Sequence, residues 1–523
     1  MTAVRTTVRN WEPGSDGDPR RNLTLLVLCL SLFMVVLGNT VLNIAIPTLV
    51  RELGATPQQL QWMVDAYALV FAGLLFTGGA LGDRFGRKGL LNIGLCVFAV
   101  GSMTAAFGGT ATTIIVGRAI MGVGAALVMP STLSILTNVF PPQERPKAIG
   151  VWAGVAGAGG AIGPIVSGFL LEHFWWGSIF FLNLPVVVLA LVGGYRLVPT
   201  SNDPDQAKLD IPGAVLSIGA IGALVYAIIE APHHGWTSGP TLAWFAIAIV
   251  FGGAFAAREL TANAPMLDLR YFQRRGFSGG SIAISMMFFG MYGMFFLLTQ
   301  YLQQVRAWTA LSTGFRTLPF ALTIMFVAPR SAALTQRFGT RRVVTTGVTI
   351  AATGMFVLSF AGVTTNYLLV AVALAVLAAG MGMTMAPSTV AIMSSLPLAK
   401  AGIGSAMNDT NRELGGAVGV AVLGSILATQ YTSSLVANTR SLPTAIVVKA
   451  EGSLGVALGI AAKLHLPQLA DAARHAFVDA MGTALKIGSG VALVAAVLVY
   501  LVLPSHLGTS EEQDRYGGAE HDD

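Results

Sequence analysis

The amino-acid sequence predicts an all-α membrane protein, and three observations carry that class. Of 523 residues 54% are hydrophobic and only 11% charged, a balance foreign to water-soluble globular domains. Apolar stretches of about 20 residues, the length that crosses a hydrocarbon core, recur along the chain. Fourteen qualify, centred near Met34, Ala72, Phe98, Val123, Ala158, Leu189, Ile221, Ile249, Phe289, Ile324, Thr353, Ala373, Val418 and Val494. Third, Gly150 to Gly168 is a run of small residues with Pro164 inside it. Glycine costs roughly 1 kcal/mol and an interior proline about 3 in a water-exposed helix. Such a segment stays helical where an unpaired peptide group costs more still, inside a bilayer. Gly150, Gly154, Gly157, Gly160 or Ala161, and Pro164 recur at steps of three and four, a smooth stripe against which another helix can lie.

Loop charges set the expected orientation. Arg20 and Arg21, Arg84 with Arg87 and Lys88, Arg145 and Lys147, Lys208, Arg270 with Arg274 and Arg275, Arg337 with Arg341 and Arg342, and Lys400 fall in alternate loops. The other loops hold far fewer, chiefly Arg51, Arg306, Arg440, Lys449, Lys463 and Arg474. The positive-inside bias predicts both termini in the cytoplasm of an inner (plasma) membrane protein. Met1 to Arg20 has no apolar core, so no cleavable signal peptide is expected. The net charge of +6 is spread over these loop clusters, which predicts no nucleic-acid partner. Cys29 and Cys96 sit in apolar runs and supply neither a disulfide framework nor a metal site.

The chain also repeats. Leu81-Gly82-Asp83-Arg84-Phe85-Gly86-Arg87-Lys88 follows the second span, and Leu334-Thr335-Gln336-Arg337-Phe338-Gly339-Thr340-Arg341-Arg342 follows the tenth. Two six-span halves with two spans inserted between them explain that offset, the sequence trace of a major facilitator fold. The expected organisation is a cytoplasmic tail over residues 1–21 and an N-terminal half over 22–200. The inserted pair with its linkers occupies 201–276, the C-terminal half 277–503 and a second tail 504–523. Within the second half, residues from about 430 to 480 are too interrupted by Glu451, Pro467, Asp471 and Arg474 to span, and predict outer amphipathic helices or a hairpin. In the turn itself Asp83 can serve the N-terminus of a neighbouring helix while its arginines sit at the anionic inner leaflet.

With these motifs the chain resembles the fourteen-span drug:H+ antiporters of the major facilitator superfamily, of the EmrB and QacA kind. Gly79 to Lys88 look like that superfamily's first conserved loop, and Gly117-Arg118-Ala-Ile-Met-Gly-Val-Gly124 is similar to its fourth-helix arginine motif. Gly150, Gly159, Gly163-Pro164 and Gly168 fall on the fifth-helix antiporter motif, with Ser167 where a second glycine is common. Trp176 to Pro185, Leu318-Pro319-Phe320 and Asn408 to Gly416 look like the sixth, tenth and thirteenth helices. Leu37 to Pro47 resembles the first-helix signature, with Gly38 in place of the acid that handles protons or cations in the family.

Ionisable groups inside spans are functional candidates by default. Asp65, at about the depth of Gly38, is the first choice for a proton or cation site, because proton and cationic drug can compete for one carboxylate. A structural Asp bonded to nearby backbone or Asn is the alternative. Asp409, Arg412 and Glu413 share one side of the thirteenth span, where Arg412 can neutralise one acid and leave the other titratable, unless the three form a static network. Arg118, the lone charge of the fourth span, needs a partner; the resemblance implies a proton relay, against a buried structural ion pair. Asp65, Asp409, Glu413 and Arg118 are thus the expected coupling set. Substrate contacts are expected from Asp65, Tyr67, Asn39, Asn43, Met291, Phe295, Gln300 and Glu230. Met291 and Phe295 belong to a ninth span whose sulfur and aromatic groups make an adaptable surface; Glu230 could equally be solvated. The resemblance assigns conformational roles to Gly82, Asp83, Arg84, Gly86 and Arg87, with Asp83 and Arg84 as an inner gate, and to Gly159, Gly163 and Pro164 as a hinge-like packing surface.

Enzyme motifs are not expected to operate. Gly276-Phe277-Ser278-Gly279-Gly280 fits G-x-S-x-G by chance at a membrane boundary. Neither a P-loop nor H-E-x-x-H occurs. The expected function is proton-coupled export of lipophilic, cationic compounds by alternating access, as a monomer among membrane lipids and without cofactor or metal. Lipid or glycolipid export by the same fold, or a transport-inactive sensor or scaffold, are the alternatives.

Overall fold

A computed structural model describes residues 18–53, 57–200, 210–262, 265, 267–397, 400–439, 443–451 and 453–505. Its elements are helices. Before the inserted pair come α1 (Arg21–Leu53), α2 (Pro57–Phe85), α3 (Arg87–Ala106), α4 (Ala111–Val139), α5 (Arg145–His173), the short α6 (Ser178–Phe181) and α7 (Asn183–Leu197). The inserted pair is α8 (Ile211–His234) and α9 (Gly239–Thr261). Then follow α10 (Arg275–Gln300), α11 (Ala310–Arg316), α12 (Leu318–Val327), α13 (Ser331–Phe338), α14 (Thr340–Leu358), α15 (Tyr367–Ser394), α16 (Ala401–Asn438), α17 (Thr444–Ala450), α18 (Leu454–Leu464) and α19 (Pro467–Val502). Side-chain caps set several starts: Thr110, Asp210, Ser238, Thr309 and Asn366 each accept a backbone N–H from the first turn they precede.

Every predicted span centre falls inside one of these helices. By length and apolarity, however, twelve segments among the described residues qualify as spans. The two predicted spans outside that set are α5 and α14. Arg341, Arg342 and five threonines dilute α14, and residues 157, 158, 161 and 164 of α5 have side chains outside the described set. The chain is therefore an all-helical multi-pass membrane protein, and twelve replaces fourteen as the count that hydropathy alone supports.

The two halves repeat at the level of backbone. The turn into α3 places Gly86 at φ 101°, and the turn into α14 places Gly339 at φ 82°. Only glycine takes such a φ without cost, so the duplicated Arg-Phe-Gly is one turn used twice. Packing repeats too. A Cβ on Gly124 of α4 would lie 2.5 Å from the Phe98 nitrogen of α3, and one on Gly354 of α14 would lie 2.6 Å from the Leu377 nitrogen of α15. Small residues let these helix pairs touch backbone to backbone, the contact that replaces hydrophobic burial inside lipid.

At the end of the bundle that carries the duplicated turn, arginines close helix C-termini. Arg274 donates to the Ser395 carbonyl, Arg275 to those of Leu501 and Val502, and Arg341 to that of Leu503, which suits the negative end of each helix dipole. We call this the basic face. At the opposite face the interrupted segment forms α17 and α18, and the Tyr431 hydroxyl donates to the Ala450 carbonyl at 3.3 Å. The inserted pair packs against itself, with α8 lying along α2; α9 presents Leu242, Ile249 and Val250 outward. Near the basic face Arg258 pairs with Asp210 at 3.3 Å, and the Leu267 N–H donates to Glu259.

Candidate transport site

Three clusters of buried polar groups stand out among the described residues. The first is built around Arg118. Its side chain is fully buried; Nη1 donates to the Gly38 carbonyl at 2.6 Å, Nε donates to the Met63 carbonyl at 2.9 Å, and the guanidinium stands 4.3 Å from the Tyr67 ring centroid. Tyr67 in turn donates to the Val35 carbonyl at 3.2 Å. Arg118 thus ties α4 to α1 and α2 through carbonyl dipoles and an aromatic face.

The space an acid would need at position 38 is filled. A Cβ on Gly38 would lie 2.7 Å from Phe98 Cζ and 3.3 Å from Met121 Cε, and Phe98 is fully buried. Inserting bulk into packed surroundings costs about 1–3 kcal/mol. Gly38→Asp is therefore expected to lower the thermal midpoint of the purified protein. Adding Phe98→Leu should recover most of the loss. An unchanged midpoint in the single variant would show that Phe98 yields freely.

The second cluster sits on α16. Asp409 is 1% exposed; Arg412 Nη1 reaches its Oδ1 at 3.4 Å, as does Asn408 Nδ2. Thr389 of α15 donates to Asn408 Oδ1 at 3.0 Å, fixing the amide. Arg412 also faces the Phe288 ring at 4.7 Å and the Trp152 ring at 5.6 Å. It is committed to Asp409. Glu413 is half-buried and makes no hydrogen bond or ion pair among the described residues. Its charge acts on both Tyr67 of α2 and Tyr292 of α10. Glu413, within the field of Arg412 but not bonded to it, therefore lies where groups of both halves converge.

The third cluster, at the basic face, joins the halves directly. Asp83 at the end of α2 is 4% exposed and pairs with the buried Arg87 at 2.7 Å. Its carboxylate also accepts the N–H groups of Gly402 at 3.0 Å and Ile403 at 3.3 Å, in the first turn of α16. Two orphan donors and the positive helix end are satisfied by one acid. The backbones there are close: a Cβ on Gly79 would lie 2.5 Å from the Gly402 oxygen. Arg84, by contrast, stacks over Phe85 at 5.2 Å rather than reaching across.

Comparison with known proteins places this arrangement. Residues 28–420 match the Major Facilitator Superfamily. The chain belongs to that superfamily. Among its relatives is the multidrug efflux pump LfrA of Mycolicibacterium smegmatis, 36% identical over 93% of this chain and 97% of that protein. The tetracenomycin C resistance and export protein of Streptomyces glaucescens is 32% identical over 93% and 92%. The methyl viologen resistance protein SmvA of Salmonella typhimurium is 33% identical over 92% and 98%. Of solved structures, the proton:xylose symporter XylE superposes with a TM-score of 0.62 at 15% identity over 95% of this chain and 98% of that one, which shows the shared fold.

Within this major facilitator fold the glycine run of α5 serves two partners, not one stripe. Gly150 and Gly154 face Met325 to Pro329, and Gly168 faces Leu311, all in the second half. Gly159 faces Phe33 and Val36 of α1, in the same half; Gly163 is buried, and Ser167 donates to the Val41 carbonyl at 3.1 Å. Gly82 has only ordinary contacts around a would-be Cβ, so its place in the turn is not a matter of space.

Of the remaining predicted contacts, four have described side chains. Phe295 packs edge-on to Phe320 with centroids 5.0 Å apart, and Met291 is half-buried. Gln300 donates to the Phe296 carbonyl of its own helix, and Glu230 pairs with His234 at 3.1 Å. The side chains of Asn39, Asn43, Asp65 and Pro164 lie outside the described residues. Sequence reasoning passed over Tyr292 and Trp152. Each had a signal: the hydroxyl in a Met and Phe run, and the lone aromatic between Gly150 and Gly168.

Proposed function

We propose that this chain is a proton-coupled efflux antiporter that exports lipophilic, cationic compounds by alternating access. The observation that carries the reading is Glu413. Its neighbour Asp409 is held by Arg412, while Glu413, within the field of the same guanidinium, makes no hydrogen bond or ion pair among the described residues and lies near tyrosines of both halves. A proton and an organic cation compete for such a carboxylate. The protonated form is neutral and can be carried through the apolar interior. Drug binding then requires the proton to leave, and a second proton displaces the drug on the far side. The relatives named for efflux and resistance to tetracenomycin C and methyl viologen support this substrate class.

The same reading makes Asp65 a second candidate acid, Arg118 the fixed charge that orients Tyr67, and Tyr67 with Tyr292 the aromatic contacts of the cation. The latch of Asp83 on α16 closes the basic face, which we take as cytoplasmic, with both termini on that side. Helices α5 and α14, 29 and 19 residues long, complete fourteen crossings, six per half around the inserted α8 and α9. The driving force is adequate: about 2.3 kcal/mol per charge per 100 mV and about 1.4 kcal/mol per pH unit.

Ethidium efflux from energised membrane vesicles tests this. Efflux that stops on addition of a protonophore is expected. Ethidium release indifferent to the protonophore, or absent from folded protein, contradicts the proposal and turns attention to lipid export.

A further inference from the structure

We infer that an anionic phospholipid binds between α11 and the start of α15, its phosphate held by Arg306 and Arg316 at the face opposite the basic one. Both arginines are half-buried and stand against one indole: the Arg316 guanidinium lies 3.9 Å from the Trp308 ring centroid and that of Arg306 5.2 Å from it. Tyr367, in the first turn of α15, meets Trp308 edge-on at 6.0 Å and donates its hydroxyl to the Arg316 carbonyl at 3.0 Å. Ala307, at φ 53°, turns the chain between Arg306 and Trp308. Ring faces attract a guanidinium without neutralising it. Two like charges gathered on one ring call for an anion.

The described residues supply none. Neither arginine makes an ion pair among them; Arg306 Nη1 donates to the Val363 carbonyl at 2.7 Å and Arg316 Nη1 turns to Ser312, which leaves Nε and Nη2 of both for another acceptor. Glu172, one turn beyond Gly168 on the helix that faces Leu311, is exposed and pairs with neither. Arg316 also lies within the apolar segment Leu311–Phe338, long enough to cross a membrane, where a charge without a counter-charge is costly. The surroundings match a lipid rather than a soluble anion. Beside the arginines Phe315 is 53% and Leu368 66% exposed, and deeper along the two packed helices Leu322 of α12 and Val372 of α15 are exposed as well. Acyl chains can cover that strip while the phosphate meets the guanidiniums, at the depth where aromatic residues border a membrane. A net-anionic headgroup is favoured over a zwitterionic one, whose ammonium would face two cations.

The inference is independent of proton coupling and of the exported substrate, and its test reads binding rather than transport. The full chain in phosphatidylcholine nanodiscs is photolabelled with a phosphatidylglycerol that carries a diazirine near the head of one acyl chain, and labelled peptides are mapped. Saturable labelling of residues 306–322 and 367–372 is expected, with phosphatidylglycerol competing at least tenfold better than phosphatidylethanolamine. Arg306→Gln combined with Arg316→Gln should cut that labelling at least tenfold. Either change alone should cut it about threefold, and decides the matter if the pair does not fold. Lys463→Gln, which removes an exposed charge elsewhere on the same face, should leave it unchanged. Labelling that survives loss of the arginines, or falls equally in Lys463→Gln, overturns the site. Equal competition by phosphatidylethanolamine overturns its preference for net charge, and displacement by millimolar glycerol phosphate assigns the arginines to a soluble anion instead.

Discussion

Asp83→Ala is expected to reduce efflux at least tenfold and to open the basic face, with the largest structural effect of any single change considered. The carboxylate is buried, pairs with Arg87 and satisfies two N–H groups at the start of α16. Removing one partner of a buried ion pair costs about 3–5 kcal/mol, and a latch present in one conformation loses that from one side of the alternating equilibrium. A shift of about 5.5 kcal/mol carries a two-state balance from 1:99 to 99:1. Asp83→Asn keeps the acceptor and loses the charge, so it should fall between wild type and Ala. The measurement is maleimide labelling of a cysteine placed at Ser405, which is fully buried in this state, with Cys29 and Cys96 replaced. Fast labelling in Asp83→Ala and slow labelling in wild type are expected. Equal rates would show that the latch does not hold the face shut.

Glu413→Gln is expected to abolish uphill efflux while leaving the fold and facilitated, downhill movement of drug in place. In the wild type a fall in pH puts a proton on the carboxylate that the cation needs, so drug affinity weakens as pH falls. The amide cannot titrate, so affinity in the variant should be weak and independent of pH. Asp409→Asn should behave differently, since it removes the counter-ion of Arg412 inside the helix and lowers stability as well as transport. Tritiated drug binding across pH, with thermal midpoints for both variants, separates the two. A wild-type pH dependence surviving in Glu413→Gln would move the proton site elsewhere, with Asp65 next.

Much of the architecture was legible because membrane solvation writes itself into composition. Each apolar run became a helix, since lipid leaves the backbone no other single-segment solution. The Arg-Phe-Gly repeat was legible for a different reason: a positive φ admits few residues, so the turn leaves a mark. What sequence could not show was which face a small residue serves. Gly150 and Gly159 read alike, yet one meets Ala328 across the halves and the other Phe33 within its own half. Pairing was equally hidden. The i+3 and i+4 spacings put three charges on one side of α16, but the choice of Arg412 for Asp409 over Glu413 is a matter of side-chain geometry. Arg118 was expected to need a partner, and two of its partners are the carbonyls of Gly38 and Met63, groups that every sequence contains and none advertises.

The most direct measurement is ethidium accumulation in proteoliposomes of the purified protein with an inside-acid pH gradient and no membrane potential. One-for-one exchange of a monovalent cation for a proton predicts about tenfold accumulation per pH unit, the ratio equivalent to about 1.4 kcal/mol, collapsing when the gradient is dissipated and absent in Glu413→Gln. Ethidium that merely equilibrates whatever the gradient, with the protein folded and binding the drug, would contradict proton-coupled export.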